Sequence, residues 1–173
     1  MLQQIIGSAV IVMASGKIGY DTASKYGRRV KEIQAMQSGL WGLKSNIAFC
    51  RSTMYESMMQ ASGLIPTNAA KVFADAAELL NTDCDVTASS AWHDALAKNE
   101  KSLALKADEL GVLYTFGSML GTADAAGEIE NIELTIEKLK IYERDARAED
   151  MKYGRMCKSL GIVGGVLLAI VFI

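Results

Sequence analysis

The stretch DAAGEIENIELTIEKLKIYERDARAEDMKYGRMC, residues 124–157, decides the fold class of this chain. Its apolar residues Ile129, Ile132, Ile136 and Leu139 step by three, four and three, which places them on one face of a helix of 3.6 residues per turn. Glu130, Glu133, Glu137 and Lys138 fill much of the remainder. Such a helix is stable in water only when its apolar face packs against a partner, so a bundle is expected. Asp124, just after the break at Gly121, has the side chain of an N-cap, and Glu143 with Arg147 forms an i,i+4 pair of the favourable polarity.

Upstream, the same i, i+3, i+4 recurrence predicts helices near residues 21–49, 53–62, 67–81, 88–98 and 101–120, with 124–157 as the last. Residues 63–67, which include Pro66, and 81–87 are turn-like clusters between them. One proline in 173 residues and few aromatics favour helices over a sandwich of short strands. The fold class is therefore all-α: a cytoplasmic bundle of about six helices over 21–157, flanked by an N-terminal transmembrane helix over 1–20 and a C-terminal one over 158–173.

The flanking spans follow from where the apolar excess lies. Half of the residues are hydrophobic and the mean hydropathy is +0.16, although 22% are charged. From Ser159 to Ile173 the chain reads SLGIVGGVLLAIVFI, without a charge. Its ten Leu, Ile, Val and Phe residues contribute roughly -3 to -6 kcal/mol to insertion. Fifteen helical residues reach only about 22 Å across a core of about 30 Å, so Lys158 must snorkel or the bilayer must thin. The N-terminus, MLQQIIGSAVIVMASGKIGY, reads either as a signal peptide or as a start anchor: the absence of a charged side chain before Lys17 argues against cleavage, although Ala14 and Gly16 would suit a peptidase.

Charge is distributed to match. The net charge is -2, yet Lys17, Lys25, Arg28, Arg29 and Lys31 follow the first apolar segment, and Lys152, Arg155 and Lys158 precede the last. These basic residues are expected to hold the central domain on the cytoplasmic side. Lipid headgroups are a second use for them, and nucleic acid a distant third. Close packing of helices in lipid requires small residues, and Ser15 with Gly19 and Gly161 with Gly165 have that spacing, which would let the spans pair or the chain form a homo-oligomer.

Chemistry-bearing patterns are sparse. His93 has no second histidine or clustered cysteine to share a metal, so a structural or surface role is expected. Asp83 and Asp85 lack the ligand series of an EF-hand, and ASGKI lacks the spacing of a phosphate loop. Cys50, Cys84 and Cys157 have neither disulfide-framework nor zinc spacing and fit a reducing compartment. No catalytic residue, cofactor or metal is expected. Glu128, Glu130, Glu133 and Glu137 are read as an exposed acidic face, most simply a solvated one and alternatively a docking site.

Three stretches resemble the stage III sporulation protein AB family of endospore-forming bacteria. They are IIGSAVIVMASGKIGY (5–20), LYTFGSMLGTADAAGEIENIEL (113–134), with its FGxxLGxxD pattern, and YGRMCKSLGIVGGVLL (153–168), whose KSLGxxGG is the most specific. Trp92 in SSAWHDAL also falls where that family carries a tryptophan. Gly127 and Glu128 depart from it, standing where a glutamine-containing stretch is expected after the aspartate, and Ser52 to Met58 lacks the proline expected at that turn. The resemblance implies a non-enzymatic platform in the mother-cell membrane facing the forespore, its helical domain similar to that of the type II secretion inner-membrane platform protein. It further implies docking of a secretion-type ATPase, stage III sporulation protein AA, beside other stage III channel proteins. The competing readings are a membrane-bound enzyme acting on lipid or envelope precursors, which would need acid, base or metal ligands converging near the bilayer, and a generic helical membrane scaffold.

Overall fold

A computed structural model describes the backbone of residues 2–50, 52–82, 85–154, 156–157, 159–160 and 163–164, with the side chains of Lys17 and of residues from Tyr20 onward in those ranges. It contains α1 (Leu2–Ser45, closed by a π-turn at Asn46–Cys50), α2 (Met54–Gly63), α3 (Ala69–Thr82), α4 (Ala88–Asn99), α5 (Ala107–Met119) and α6 (Ala125–Glu149, followed by a π-turn at Asp150–Gly154). Among the described residues there is no strand. The chain divides into two compact units, Lys31–Arg144 and Met1–Val30 with Asp145–Ile173.

The core of the larger unit is built around Trp92 of α4, which is fully buried. Phe73 of α3 and Phe116 of α5 meet it edge-on, with ring centroids at 5.1 and 5.2 Å, and its indole N–H donates to the Leu113 carbonyl at 2.9 Å. Each edge-to-face pair contributes about 0.5–1.5 kcal/mol beyond its buried area, and the hydrogen bond satisfies the one polar atom such a ring buries. Ile33, Met36, Leu40 and Leu43 of α1 are buried in the same unit, as are Ile132, Ile136 and Leu139 of α6. The stripe expected from the spacing of α6 is thus the face it buries.

Side chains start the helices. Thr53 and Glu56 form a reciprocal capping box at α2, and Thr87 with Ser90 does the same at α4. At α3 the Ala69 amide is shared between the local Thr67 hydroxyl and a distant carboxylate, both at 3.2 Å: Glu32 of α1, itself buried, also accepts from the Thr67 hydroxyl at 2.8 Å. One carboxylate thereby fixes the α3 N-terminus to α1.

The helix expected over 101–120 begins only at Ala107. Glu100–Ser102 tightens into a 3-10 turn, the Leu103 amide bonds the Glu100 carbonyl, and Glu109 reaches back to the Lys106 amide at 2.6 Å to open α5. Leu103 is buried from an extended segment, so its apolar side chain imitated helical spacing.

In the smaller unit α1 and the end of α6 run antiparallel: Arg29 pairs with Glu149 at 2.7 Å, and Tyr26 stacks with Tyr153 at 5.9 Å. Among the described residues no helix is both long and apolar enough to cross a membrane. Of the expected small-residue contacts, Gly161 and Gly165 lie outside the described residues, as do the side-chain surroundings of Ser15 and Gly19.

Candidate docking surface

The FGSMLGTAD stretch, residues 116–124, turns α5 into α6 and thereby orients the outer face of α6. Phe116 packs on Trp92, and Gly117 lets the indole come so close that a Cβ there would lie 2.4 Å from Trp92 Cδ1. Leu120 is buried, and Gly121 takes φ +78, a conformation that favours glycine. Asp124 then caps α6 as expected, accepting from the Gly127 amide at 2.9 Å.

Glu128 closes the turn. Its carboxylate accepts from the Gly121 amide at 2.6 Å, with a longer contact to the Ala123 amide at 3.4 Å, and the residue is only 4% exposed. The expectation that Glu128 belongs to an exposed acidic face is therefore corrected: an inward carboxylate here stabilises the peptide N–H groups of the turn and the positive end of the helix. Spacing among the glutamates gave no sign of this. The informative signal was the glycine seven residues upstream.

The other three glutamates are exposed, with different partners. Glu130 lies open on the surface. Glu133 pairs with Lys44 of α1, whose ammonium also sits 4.5 Å from the centre of the half-exposed Trp41 ring. Glu137 pairs with Lys140 one turn on, at 2.7 Å. Between them stand two apolar side chains absent from the sequence-based candidates: Leu134, 53% exposed, and Ile141, 52% exposed. Glu130, Leu134, Glu137 and Ile141 follow i, i+4, i+7 and i+11, which is one helical stripe opposite the buried Ile132, Ile136 and Leu139. The stripe thus exposes two large apolar side chains between acidic ones.

Residues considered for chemistry are dispersed. His93 shares a hydrogen bond with the Ser118 hydroxyl at 3.2 Å and lies against Tyr114, tying α4 to α5. Asp85 is exposed in a loop, and Asp83 and Cys84 lie outside the described residues. Cys50 and Cys157 are free thiols. Among the described residues no group of three His, Cys, Asp or Glu side chains is placed to hold a metal ion. A groove of about 280 Å³ between α3 and α4 is lined by Asp75, Glu78, Leu79, Thr82, Asp94 and Lys98. Burial alone would raise the Asp75 pKa, but hydrogen bonds from Asn99 and Lys98 and the charges of Lys98 and Lys71 outweigh it and hold the carboxyl below its ordinary value.

The basic residues divide similarly. Lys17, Lys25, Arg28, Lys31 and Lys152 are exposed, whereas Arg29 is buried in its pair with Glu149. Arg155 and Lys158 lie outside the described residues.

Six helices without a strand among the described residues make this an all-helical bundle protein. The sequence profile of the stage III sporulation protein AB family matches residues 4–173, and the chain belongs to that family. It is 28% identical over 165 residues to stage III sporulation protein AB of Bacillus subtilis (strain 168), covering 95% of this chain and 96% of that one. Its fold matches a solved structure of stage III sporulation protein AB with a TM-score of 0.66, at 24% identity, over 71% of this chain and 96% of the solved one.

Proposed function

We propose that this chain is a non-enzymatic platform of the channel complex between mother cell and forespore, and that the outer stripe of α6 docks a secretion-type ATPase, stage III sporulation protein AA. In this reading residues 1–20 and 158–173 are transmembrane anchors in the mother-cell membrane facing the forespore, packed through Ser15, Gly19, Gly161 and Gly165. The domain over 21–157 stands in the mother-cell cytoplasm beside other stage III channel proteins. Lys17, Lys25, Arg28, Lys31, Lys152, Arg155 and Lys158 set that orientation.

The observation that carries the docking role is the exposure of Leu134 and Ile141 on a helix whose opposite face is fully used by the core. Large apolar side chains held out on a rigid helix are available for a partner at little ordering cost. Membership of the sporulation family supports the cellular setting.

The test is co-purification of the tagged full chain from detergent-solubilised sporulating cells. Recovery of the ATPase, lost when Glu130, Glu133 and Glu137 are reversed to lysine or when Leu134 and Ile141 become aspartate, supports the reading. Recovery unchanged in both variants assigns docking to another face. No ATPase with the protein intact in the membrane fraction removes the docking role.

A further inference from the structure

The charge of the chain is segregated between its two units. Residues 1–30 and 145–173 carry eight Lys and Arg against four Asp and Glu, whereas residues 31–144 carry ten against sixteen. The positive unit also exposes Tyr20, Met151, Met156, Leu160 and Val163.

Within this unit the antiparallel pairing of α1 with the end of α6 sets these side chains at comparable levels. Tyr26 faces Tyr153, and Arg29 faces Glu149, so Lys25 and Arg28 stand level with Lys152. All three cations are exposed, and none is in an ion pair among the described residues. Lys152 lies over the Tyr153 ring at 5.2 Å, and the Tyr26–Tyr153 stack forms a rigid aromatic layer at that level.

Moving toward the chain termini, the surface changes in order. Tyr20 comes next on α1, about 8–12 Å of helix rise from Lys25 and Arg28. On the other side of the pair come Met156, Leu160 and Val163, spaced i, i+4 and i+7. The order is a basic level, then aromatic, then apolar, which is how protein surfaces are graded across a membrane interface. Lys17 lies among the apolar level, with a stem long enough to bring its ammonium back toward the cations. Asp21 is the one acidic residue on the α1 side of this unit; on the other side Glu149 is taken up by Arg29, and Asp150 stands at the basic level, its Oδ1 3.7 Å from where a Cβ of Gly27 would lie, so three exposed cations face one carboxylate there.

We propose that Lys25, Arg28 and Lys152, backed by the Tyr26–Tyr153 stack, form a collar that binds anionic phospholipid headgroups and prefers them to zwitterionic ones. This rests on the membrane setting proposed above and goes beyond anchoring, since an apolar anchor alone has no headgroup preference. A phosphate-containing solute matches the cations but does not engage the exposed apolar stripe of Met156, Leu160 and Val163. A bilayer of anionic lipid accounts for all three levels.

The experiment reconstitutes the full chain into bilayers of phosphatidylcholine with about one third phosphatidylglycerol, extracts it with its surrounding lipid in polymer discs, and measures the lipid ratio in the discs. Each basic residue at an anionic surface is worth roughly a fivefold preference, so phosphatidylglycerol enriched at least about twofold over bulk is expected. Enrichment should vanish in a Lys25→Glu, Arg28→Glu, Lys152→Glu variant, fall part-way with glutamine at the same positions, and persist in Lys101→Glu, which lies in the other unit. Circular dichroism checks that each variant keeps its helices. A bulk lipid ratio around the unaltered chain overturns the proposal, as does enrichment indifferent to the three substitutions. Enrichment abolished by inorganic phosphate at matched ionic strength reassigns the collar to a free anion and overturns it equally. Recovery from pure phosphatidylcholine bilayers tests anchoring separately: if the chain enters no bilayer, the membrane setting and the collar fail together, whereas entry without enrichment removes the collar alone.

Discussion

Two glycines on α5 should respond to the same substitution with opposite signs. Gly117→Ala places a Cβ 2.4 Å from Trp92 Cδ1 and 3.1–3.2 Å from the His93 ring. The indole cannot retreat easily, because Phe73 and Phe116 close on it and its N–H is held by the Leu113 carbonyl. Overpacking of this kind costs about 1–3 kcal/mol, and the rigidity of the neighbours argues for the upper part of that range. Alanine returns about 1 kcal/mol through helix propensity, leaving a net destabilisation of about 2 kcal/mol. Gly111, two turns earlier, is exposed and a Cβ there meets nothing within 4 Å, so Gly111→Ala should stabilise by about 0.5–1 kcal/mol. Urea unfolding of a Trp41→Phe background of the full chain in a neutral detergent, which leaves Trp92 as the one indole, followed by fluorescence and by circular dichroism, measures both. Equal or higher stability for Gly117→Ala would refute the close packing of α5 on Trp92.

Other sites give further expectations. Glu128→Ala should destabilise by about 2 kcal/mol, since the Gly121 amide loses its acceptor, whereas Glu130→Ala should stay within about 0.5 kcal/mol; equal effects in the same urea assay would contradict the inward placement of Glu128. Glu32→Ala should cost about 1–2 kcal/mol and speed amide exchange at Ala69, because the Thr67 hydroxyl loses its acceptor and the Ala69 amide one of its two; unchanged exchange there would count against that role. Because the Asp75 pKa is lowered on folding, the stability it contributes is present above the ordinary carboxylate range and is lost as pH falls through the depressed value. Asp75→Asn should therefore flatten the loss of stability as pH falls through and below the ordinary carboxylate range, and an unchanged slope would sink this assignment. The raised Lys98 pKa acts at the other end, its contribution present below the usual lysine value and lost as pH rises through the raised one.

Helix positions were legible because most buried side chains recur at 3.6-residue spacing, as Ile132, Ile136 and Leu139 do. Leu103 misled because burial from an extended connection leaves the same mark in a sequence. The acidic face was half legible. Composition identified Glu130, Glu133 and Glu137, but Glu128 differs only in what lies across the turn, a contact with residue 121 that periodicity does not encode. Leu134 and Ile141 were hidden for the opposite reason: apolar residues on an amphipathic helix are read as core, and only the packed structure shows them outside. Arg29 likewise looks like its basic neighbours, and its burial depends on Glu149 opposite.

The most direct test of the docking account places a photoreactive residue at position 134 or 141 of the full chain in sporulating cells, with position 111 as a control on another exposed helix face. A crosslink to the secretion-type ATPase is expected from 134 and 141 and none from 111. Crosslinks from 134 and 141 only to other proteins, or to the ATPase equally from all three positions, would contradict it.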